Sequence, residues 1–315
     1  MNQEEKLNLI KRNAIEIIGE EKLKSSLKKK QPVVYCGYEP SGDIHLGHYV
    51  TILKLKDFED AGFKVKILLA DLHAYLNRKG DWDFIRDQVK KWEKIFRKIG
   101  LKNPEIIIGT SFQKNSNYVE DVYTLAGNST INRGIRAMQG VARDIEHAKI
   151  TQILYPLMQV VDMKALKVDC VVAGLEQRKI HMIAVESLKE INYEVPSFIH
   201  TPLIPSLKGE DEGKMSSSDS SGLISIKDSS EEIKKKILKA YCPEGEKNPV
   251  LDIAKILVFP YFSKLEIQRP EKFGGNLHYN SYEKLEEDFY EKKLHPMDLK
   301  KAVGESLVKM FDKIR

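Results

Sequence analysis

The chain has 315 residues, with 51 Lys and Arg against 46 Asp and Glu for a formal charge of +5; 42% of residues are hydrophobic and 31% charged. That length suits about two domains, each large enough to bury a core, and the composition is globular rather than disordered. No apolar stretch nears the ~18 residues of a membrane span, and so small a positive excess does not single out a polyanionic partner.

In chain order, residues 1–30 read as a helical appendage. Leu7, Ile10, Ala14, Ile17 and Ile18 recur at helical spacing, and residues 20–30 read as a second, solvated helix. Acids and bases are mixed here without an unbroken apolar segment, so no secretory leader is expected and the cytoplasm is the expected setting. From Pro32 the pattern changes to short β-branched or aliphatic runs at 33–37, 65–70, 106–109 and 168–173. Helical periods lie between them, such as 84–99, where Ile85, Val89, Trp92, Ile95 and Phe96 form an apolar stripe. This alternation predicts an α/β fold, a doubly wound, Rossmann-like parallel sheet over residues 31–227. From residue 228 it stops. Capping side chains at Asp228-Ser229-Ser230 before a Glu-rich first turn start a helix carrying Ile233, Ile237, Ala240 and Tyr241, and further helices fit 250–258, 282–290 and 297–314. A smaller, mostly helical domain is therefore expected over 228–315. Cys36, Cys170 and Cys242 are too scattered for a disulfide framework or a CxxC metal site.

Three segments could carry chemistry. After the first strand comes a turn rich in Gly and Pro, then a helix predicted over 45–58. Loops after the carboxyl ends of strands in such sheets bind ligands, and a helix N-terminus there suits phosphate. His45 and His48 project from one face of its first turn, and Gly47 lets a ligand lie against the backbone. Two histidines on an amphipathic helix also fit ordinary surface or core positions. A zinc pair is disfavoured, since helical zinc histidines sit four apart and no third ligand is near. Secondly, Gly213-Lys214-Met215-Ser216-Ser217-Ser218-Asp219 combines small residues, hydroxyls and one lysine, a set suited to clamping an anion. It equally fits a solvated linker. Thirdly, Tyr155, Gln159 and Asp162 share one face of an otherwise apolar helix, which predicts a buried helix lining a polar cavity. A ligand-free hydrogen-bond network is the alternative. Pro156 is expected to mark a first turn or a kink.

HLGH at 45–48 followed by KMSSS at 214–218 resembles the signature pair of class I aminoacyl-tRNA synthetases. The blocks at 35–48, 69–77, 155–162, 176–182, 269–275 and 294–300 are similar, in the same order, to tyrosyl-tRNA synthetases of the short archaeal and eukaryotic type. That resemblance implies a ligase that activates L-tyrosine with ATP, assisted by Mg²⁺, and passes it to the 3′ end of tRNA(Tyr). It implies that Tyr35 and Asp162, with Gly37 beside them, hold the phenol of tyrosine, and that Tyr155, Gln159 and Gln177 hold its ammonium end. His45, Gly47, His48, Lys214 and Met215 would bind ATP, and Ser216 and Ser217 would close with Lys214 over the departing pyrophosphate. Ser217 stands where the common KMSKS form has its second lysine, and no replacement cation is identifiable. No metal-ligand set within the chain is implied. Arg136, Arg178 and Lys179 are implied at the tRNA acceptor end, and Phe273, His295 and Asp298 at the first anticodon base. A homodimer is implied, with no membrane partner. Tryptophanyl-tRNA synthetase is the nearest competitor. A small-molecule nucleotidyltransferase shares the HxGH chemistry but needs no helical C-terminal region, and a dehydrogenase is disfavoured because no GxGxxG follows the first strand.

Overall fold

A computed structural model describes residues 1–141, 147–209, 213–215, 219 and 221–312. Six strands, β1 (Glu16–Ile18), β2 (Val33–Tyr38), β3 (Lys64–Leu69), β4 (Glu105–Ile108), β5 (Cys170–Gly174) and β6 (Ser197–Thr201), form one sheet in the order β1-β6-β5-β2-β3-β4. Every pairing is parallel except that of β1, which runs antiparallel to β6. β5 and β6 are buried at every residue, as strands covered on both faces must be. The chain builds outward through β2, β3 and β4, then returns to place β5 on the other side of β2. The carboxyl ends of β2 and β5 therefore flank a topological switch point, where sheets of this kind bind ligands.

Residues 1–30 are not the expected helical appendage. The helix Gln3–Lys11 is closed at its start by a capping box between Asn2 and Glu5. Asn13 and Gly19 then take left-handed backbone, at φ 56° and 77°. These two residues interrupt the helical spacing of Ile17 and Ile18 and send Glu16–Ile18 into the sheet beside β6. The helix Glu20–Ser26 is shorter than expected and buries Leu23 and Ser26.

Two compact units result, and their limits differ from those read in the sequence: Met1–Ser41 with Thr51–Pro202, and Gly42–Val50 with Leu203–Arg315. The HLGH segment, within Gly42–Val50, belongs to the second unit. In the first unit the helix Trp82–Phe96 is capped by Asp81 and buries Ile85, Val89, Trp92 and Phe96. The helix Ile150–Ala165 buries Tyr155, Leu157, Met158, Val160, Val161 and Asp162. Pro156 lies inside that helix rather than in its first turn, where it removes one backbone donor.

In the second unit the helix Ser230–Lys239 starts at the Ser229–Glu232 capping box. Pro249–Ile253 continues through a π-helical stretch, Ala254–Val258, into Phe259–Phe262, and Tyr282–Tyr290 and Pro296–Asp312 follow. An antiparallel hairpin of β7 (Leu265–Ile267) and β8 (Leu277–Tyr279), absent from the sequence reading, interrupts the helices. Tyr49, next to the signature histidines, packs edge-on against Phe311 with ring centroids 5.5 Å apart. Among the described residues no helix is long and apolar enough to cross a membrane.

Candidate active site

The first unit gathers a cluster of buried polar side chains beside β2 and β5. Tyr35 comes from β2 and Asp162 from the helix that precedes β5; each is 1% exposed. Asp162 Oδ1 accepts from Gln113 Nε2 at 2.8 Å and lies 2.8 Å from the Tyr118 hydroxyl, which is also 2.8 Å from the Met158 carbonyl. Oδ2 faces His73 Nε2 at 3.7 Å, beyond hydrogen-bond reach. Burial pushes the Asp162 carboxyl up to about 7, against the downward pull of the Gln113 and Tyr118 bonds. Burial, together with the charge of Asp162, also raises the Tyr35 phenol.

His73 Nδ1 accepts from Gln113 Nε2 at 3.1 Å, which leaves the imidazole proton on Nε2, and burial lowers its pKa to about 4. The ring stands edge-on to Tyr155 at 4.6 Å. Glu39, bonded to the Tyr155 hydroxyl, also accepts from Asn77 Nδ2 at 2.9 Å. Gln159 Nε2 and Gln177 Oε1 meet at 3.4 Å. Gly37 follows Tyr35 on the same face of β2, and a Cβ there would lie 3.6 Å from the Tyr35 ring.

His73, Gln113, Tyr118 and Glu39 were not among the expected site residues. Gln113 reaches Asp162 because Asp71 accepts from Thr110 N at 2.8 Å and from its hydroxyl at 2.6 Å, which fixes the turn after β4. A Cβ on Gly109 would come within 2.5 Å of Gln113 Oε1, so that turn needs glycine for close approach. The position of Gln113 just past the carboxyl end of a strand was the available signal.

The second unit builds a different site around His45 and His48. Leu46 N donates to the Ile224 carbonyl at 3.1 Å and Ile226 N to the Ile44 carbonyl at 3.0 Å, so residues 224–226 clamp the backbone ahead of the helix Leu46–Asp60. Lys227 adds an ion pair with Asp43. Gly47 N donates to His45 Nδ1 at 3.1 Å and His45 N to His48 Nδ1 at 3.2 Å. Both Nδ1 atoms are thus acceptors, which places the ring protons on Nε2. Burial and then the Lys214 charge lower His45 to about 4, and burial, His45 and Lys214 hold His48 well below its ordinary value. Both imidazoles are neutral donors at pH 7. Gly47 has a local reason beyond room for a ligand: a Cβ there would stand 2.9 Å from His45 Cε1.

Lys214 is bridged to Pro205, with Ser206 N donating to the Gly213 carbonyl at 2.9 Å and Met215 N to the Ile204 carbonyl at 2.8 Å. The start of the expected loop is thus a short antiparallel pairing, with Met215 buried. Ser216 and Ser217 lie outside the described residues.

The expected RNA contacts are spread over both units. Arg136 is exposed on the helix Ile131–Met138. Arg178 and Lys179 open the helix Arg178–Ser187; Arg178 Nε donates to both Glu16 oxygens at 2.8 and 2.9 Å, and Lys179 Nζ donates to Gln139 at 2.6 Å. In the second unit Phe273 is 61% exposed, with Lys272 Nζ 5.0 Å above its ring. His295 and Asp298 share one helix start, where Asp298 N donates to the His295 carbonyl at 3.0 Å.

Comparison with known proteins shows the family of this chain. Residues 27–312 match the family described as tRNA synthetases class I (W and Y). The tyrosine–tRNA ligase of Methanocaldococcus jannaschii is 50% identical over 315 residues, covering 99% of this chain and 99% of its own length. That of Methanobrevibacter smithii is 48% identical over 318 residues, covering 100% and 98%. The crystal structure of tyrosyl-tRNA synthetase complexed with L-tyrosine from Archaeoglobus fulgidus is similar at TM-score 0.94 and 45% identity, covering 100% of this chain and 99% of that one. The family description spans two amino acids, and these full-length relatives decide between them. The chain belongs to the archaeal-type class I tyrosyl-tRNA synthetases, and its activity is that of a tyrosine–tRNA ligase.

Proposed function

We propose that this ligase recognises tyrosine by its single phenolic oxygen, which donates to Asp162 Oδ2 and accepts from the Tyr35 hydroxyl. The observation that carries this is the one-sided anchoring of a buried carboxylate: Gln113 and Tyr118 take Oδ1, and Oδ2 faces His73 at 3.7 Å. Binding of L-tyrosine by the similar Archaeoglobus fulgidus enzyme supports it. Tyr155, Gln159 and Gln177 then take the ammonium group, and Gly37 keeps the strand clear beside the ring.

The tyrosine carboxylate attacks the α-phosphate of ATP, pyrophosphate leaves, and the 2′-hydroxyl of the terminal tRNA adenosine takes the acyl group. No protein nucleophile is needed; positioning and stabilisation of phosphoryl charge supply the catalysis. His45 and His48 donate to the phosphates through Nε2–H, and Gly47 lets the first of these rings seat. Lys214 supplies a full positive charge, Met215 anchors its strand, and Ser216 and Ser217 close over the pyrophosphate. Mg²⁺ would assist this scheme by neutralising phosphoryl charge on the nucleotide. Arg136, Arg178 and Lys179 meet the acceptor arm of tRNA(Tyr); Phe273, His295 and Asp298 receive the first anticodon base by stacking and hydrogen bonding. The enzyme acts in the cytoplasm as a homodimer. Tyr123, Ile131 and Ile150, exposed on three helices of the first unit, support the dimer.

The test is a pH titration of tyrosine binding. The ionised carboxylate is the acceptor that the phenol requires, and Asp162 ionises in the free protein at about 7. A bound phenol adds a donor to the anion, so binding below that pH must release a proton. His73, lowered to about 4, stays neutral throughout. Affinity for tyrosine is expected to rise about tenfold from pH 6 to pH 8, with proton release measured by calorimetry in buffers of different ionisation heat. A flat affinity profile would contradict a recognising carboxylate that titrates in this range, and a tyrosine affinity unchanged by Asp162→Asn would remove Asp162 from phenol recognition.

A further inference from the structure

The edge strand β1 carries one side chain placed where the sequence reading assigned only an appendage. Glu16 is the register partner of His200 across the β1–β6 pairing. Its carboxylate accepts from Arg178 Nε at 2.8 and 2.9 Å and from His200 Nδ1 at 2.7 Å. His200 is fully buried, and its Nε2 accepts from His181 Nδ1 at 2.8 Å, the two rings stacking 15° from parallel with centroids 5.0 Å apart. The order of donors fixes both tautomers: His181 donates to His200, and His200 donates to Glu16. A buried relay of two neutral imidazoles therefore holds one carboxylate in place, and that carboxylate holds one guanidinium.

Among the described residues Arg178 is hydrogen-bonded at its inner nitrogen. Its side chain is 47% exposed, and the bonds to Glu16 run to Nε, leaving the two terminal amino groups as a planar fork. Such a fork matches the paired oxygens of a phosphate. An arginine on a helix start, left alone, would spread over many rotamers; pinned at Nε it loses most of that freedom before its partner arrives.

We propose that Glu16 is a positioning residue for the transfer step, holding the Arg178 fork outward for a phosphate of the tRNA acceptor arm. This rests on the reading of Arg178 as a tRNA contact and assigns β1, and with it the N-terminal segment, a part in the second half-reaction. Glu16 touches no substrate; it acts through Arg178.

The experiment uses the full-length enzyme and four proteins: wild type, Glu16→Gln, Arg178→Ala and the double variant. For each, the KM for tRNA in aminoacylation is compared with tyrosine-dependent ATP–pyrophosphate exchange, which needs no tRNA. Glu16→Gln is expected to raise the tRNA KM about tenfold, the scale of one lost charge-assisted hydrogen bond, with exchange unchanged. The double variant should be no worse than Arg178→Ala alone, a non-additivity that a merely structural role would not produce. If Arg178→Ala raises the KM while Glu16→Gln does not, or if the two effects add, the positioning role is overturned. If Arg178→Ala leaves the KM unchanged, the underlying tRNA contact fails and the proposal falls with it. Should Glu16→Gln also lose pyrophosphate exchange, Glu16→Asp replaces it; the shorter arm keeps the charge but moves the fork, and the same KM rise with intact exchange is expected, an unchanged KM overturning the role.

Discussion

Asp162→Ala is expected to reduce the preference for tyrosine over phenylalanine by at least about a hundredfold, measured as the ratio of kcat/KM in ATP–pyrophosphate exchange with each amino acid. A site built to bond a hydroxyl rejects the analogue lacking it by about 10⁴–10⁵-fold, a range established for tyrosine and phenylalanine in this same enzyme family and carried over, not calculated from these distances. The physical reason is specific to this pocket. Phenylalanine would leave Asp162 Oδ2 and the Tyr35 hydroxyl buried and unpaired, each costing about 1–3 kcal/mol or more for the charged group. Alanine at 162 removes that penalty for phenylalanine and removes the acceptor for tyrosine, so the two substrates converge from both directions. Gln113 and Tyr118 lose their shared partner in this variant. Its loss in tyrosine turnover will therefore be larger than the gain with phenylalanine, and the ratio is the informative quantity. An unchanged ratio would contradict the assignment of Asp162.

Lys214→Ala carries the second large effect: kcat for tyrosine-dependent exchange should fall by about 10²–10³-fold, the cost of removing one donor aimed at developing charge. The dissociation constant for tyrosine should stay within about twofold, because an interaction made only in the transition state lowers kcat and kcat/KM together. The field of Lys214 gives this variant a second signature. After burial, that ammonium is a named cause of the low pKa values of both His45 and His48. Removing it raises both toward their ordinary value, so the acidic limb of the residual exchange activity should move to higher pH. Equal losses in tyrosine binding and in rate, with no shift of the limb, would contradict a role for Lys214 at the phosphates.

Much of this molecule was legible in its sequence where one stretch of chain contains all the information. Strand β2, the turn after it and the HLGH helix are contiguous, and the capping side chains at 228–230 before a Glu-rich turn announce the helix that follows. The stripe of Tyr155, Gln159 and Asp162 needs only helical geometry. Features made by pairing distant segments were not legible. Gln113 and Asp162 are 49 positions apart and meet only because the turn after β4 is tied to Asp71. The place of Gln113 past the carboxyl end of β4 is the one local signal, and that signal does not name the partner. The strand Glu16–Ile18 is three residues long, and Ile17 and Ile18 fit the helical spacing of Ile10 and Ala14; Asn13 and Gly19 in left-handed backbone overrule that spacing. β6 and the β7–β8 hairpin are likewise too short to state a period of their own. The signature histidines show the reverse case. His45 precedes the helix Leu46–Asp60 while His48 lies in its first turn, and the reason for Gly47 between them is contact with the His45 ring, which spacing alone does not show.

Recognition of one phenolic oxygen by two buried side chains is the central claim, and a crystal structure of the protein with L-tyrosine tests it most directly. The phenolic oxygen is expected about 2.6–3.0 Å from both Asp162 Oδ2 and the Tyr35 hydroxyl, with the ammonium group toward Tyr155, Gln159 and Gln177. A tyrosine bound in the opposite sense, or one whose oxygen lies against Val161 or Leu68 and away from Asp162, would contradict it.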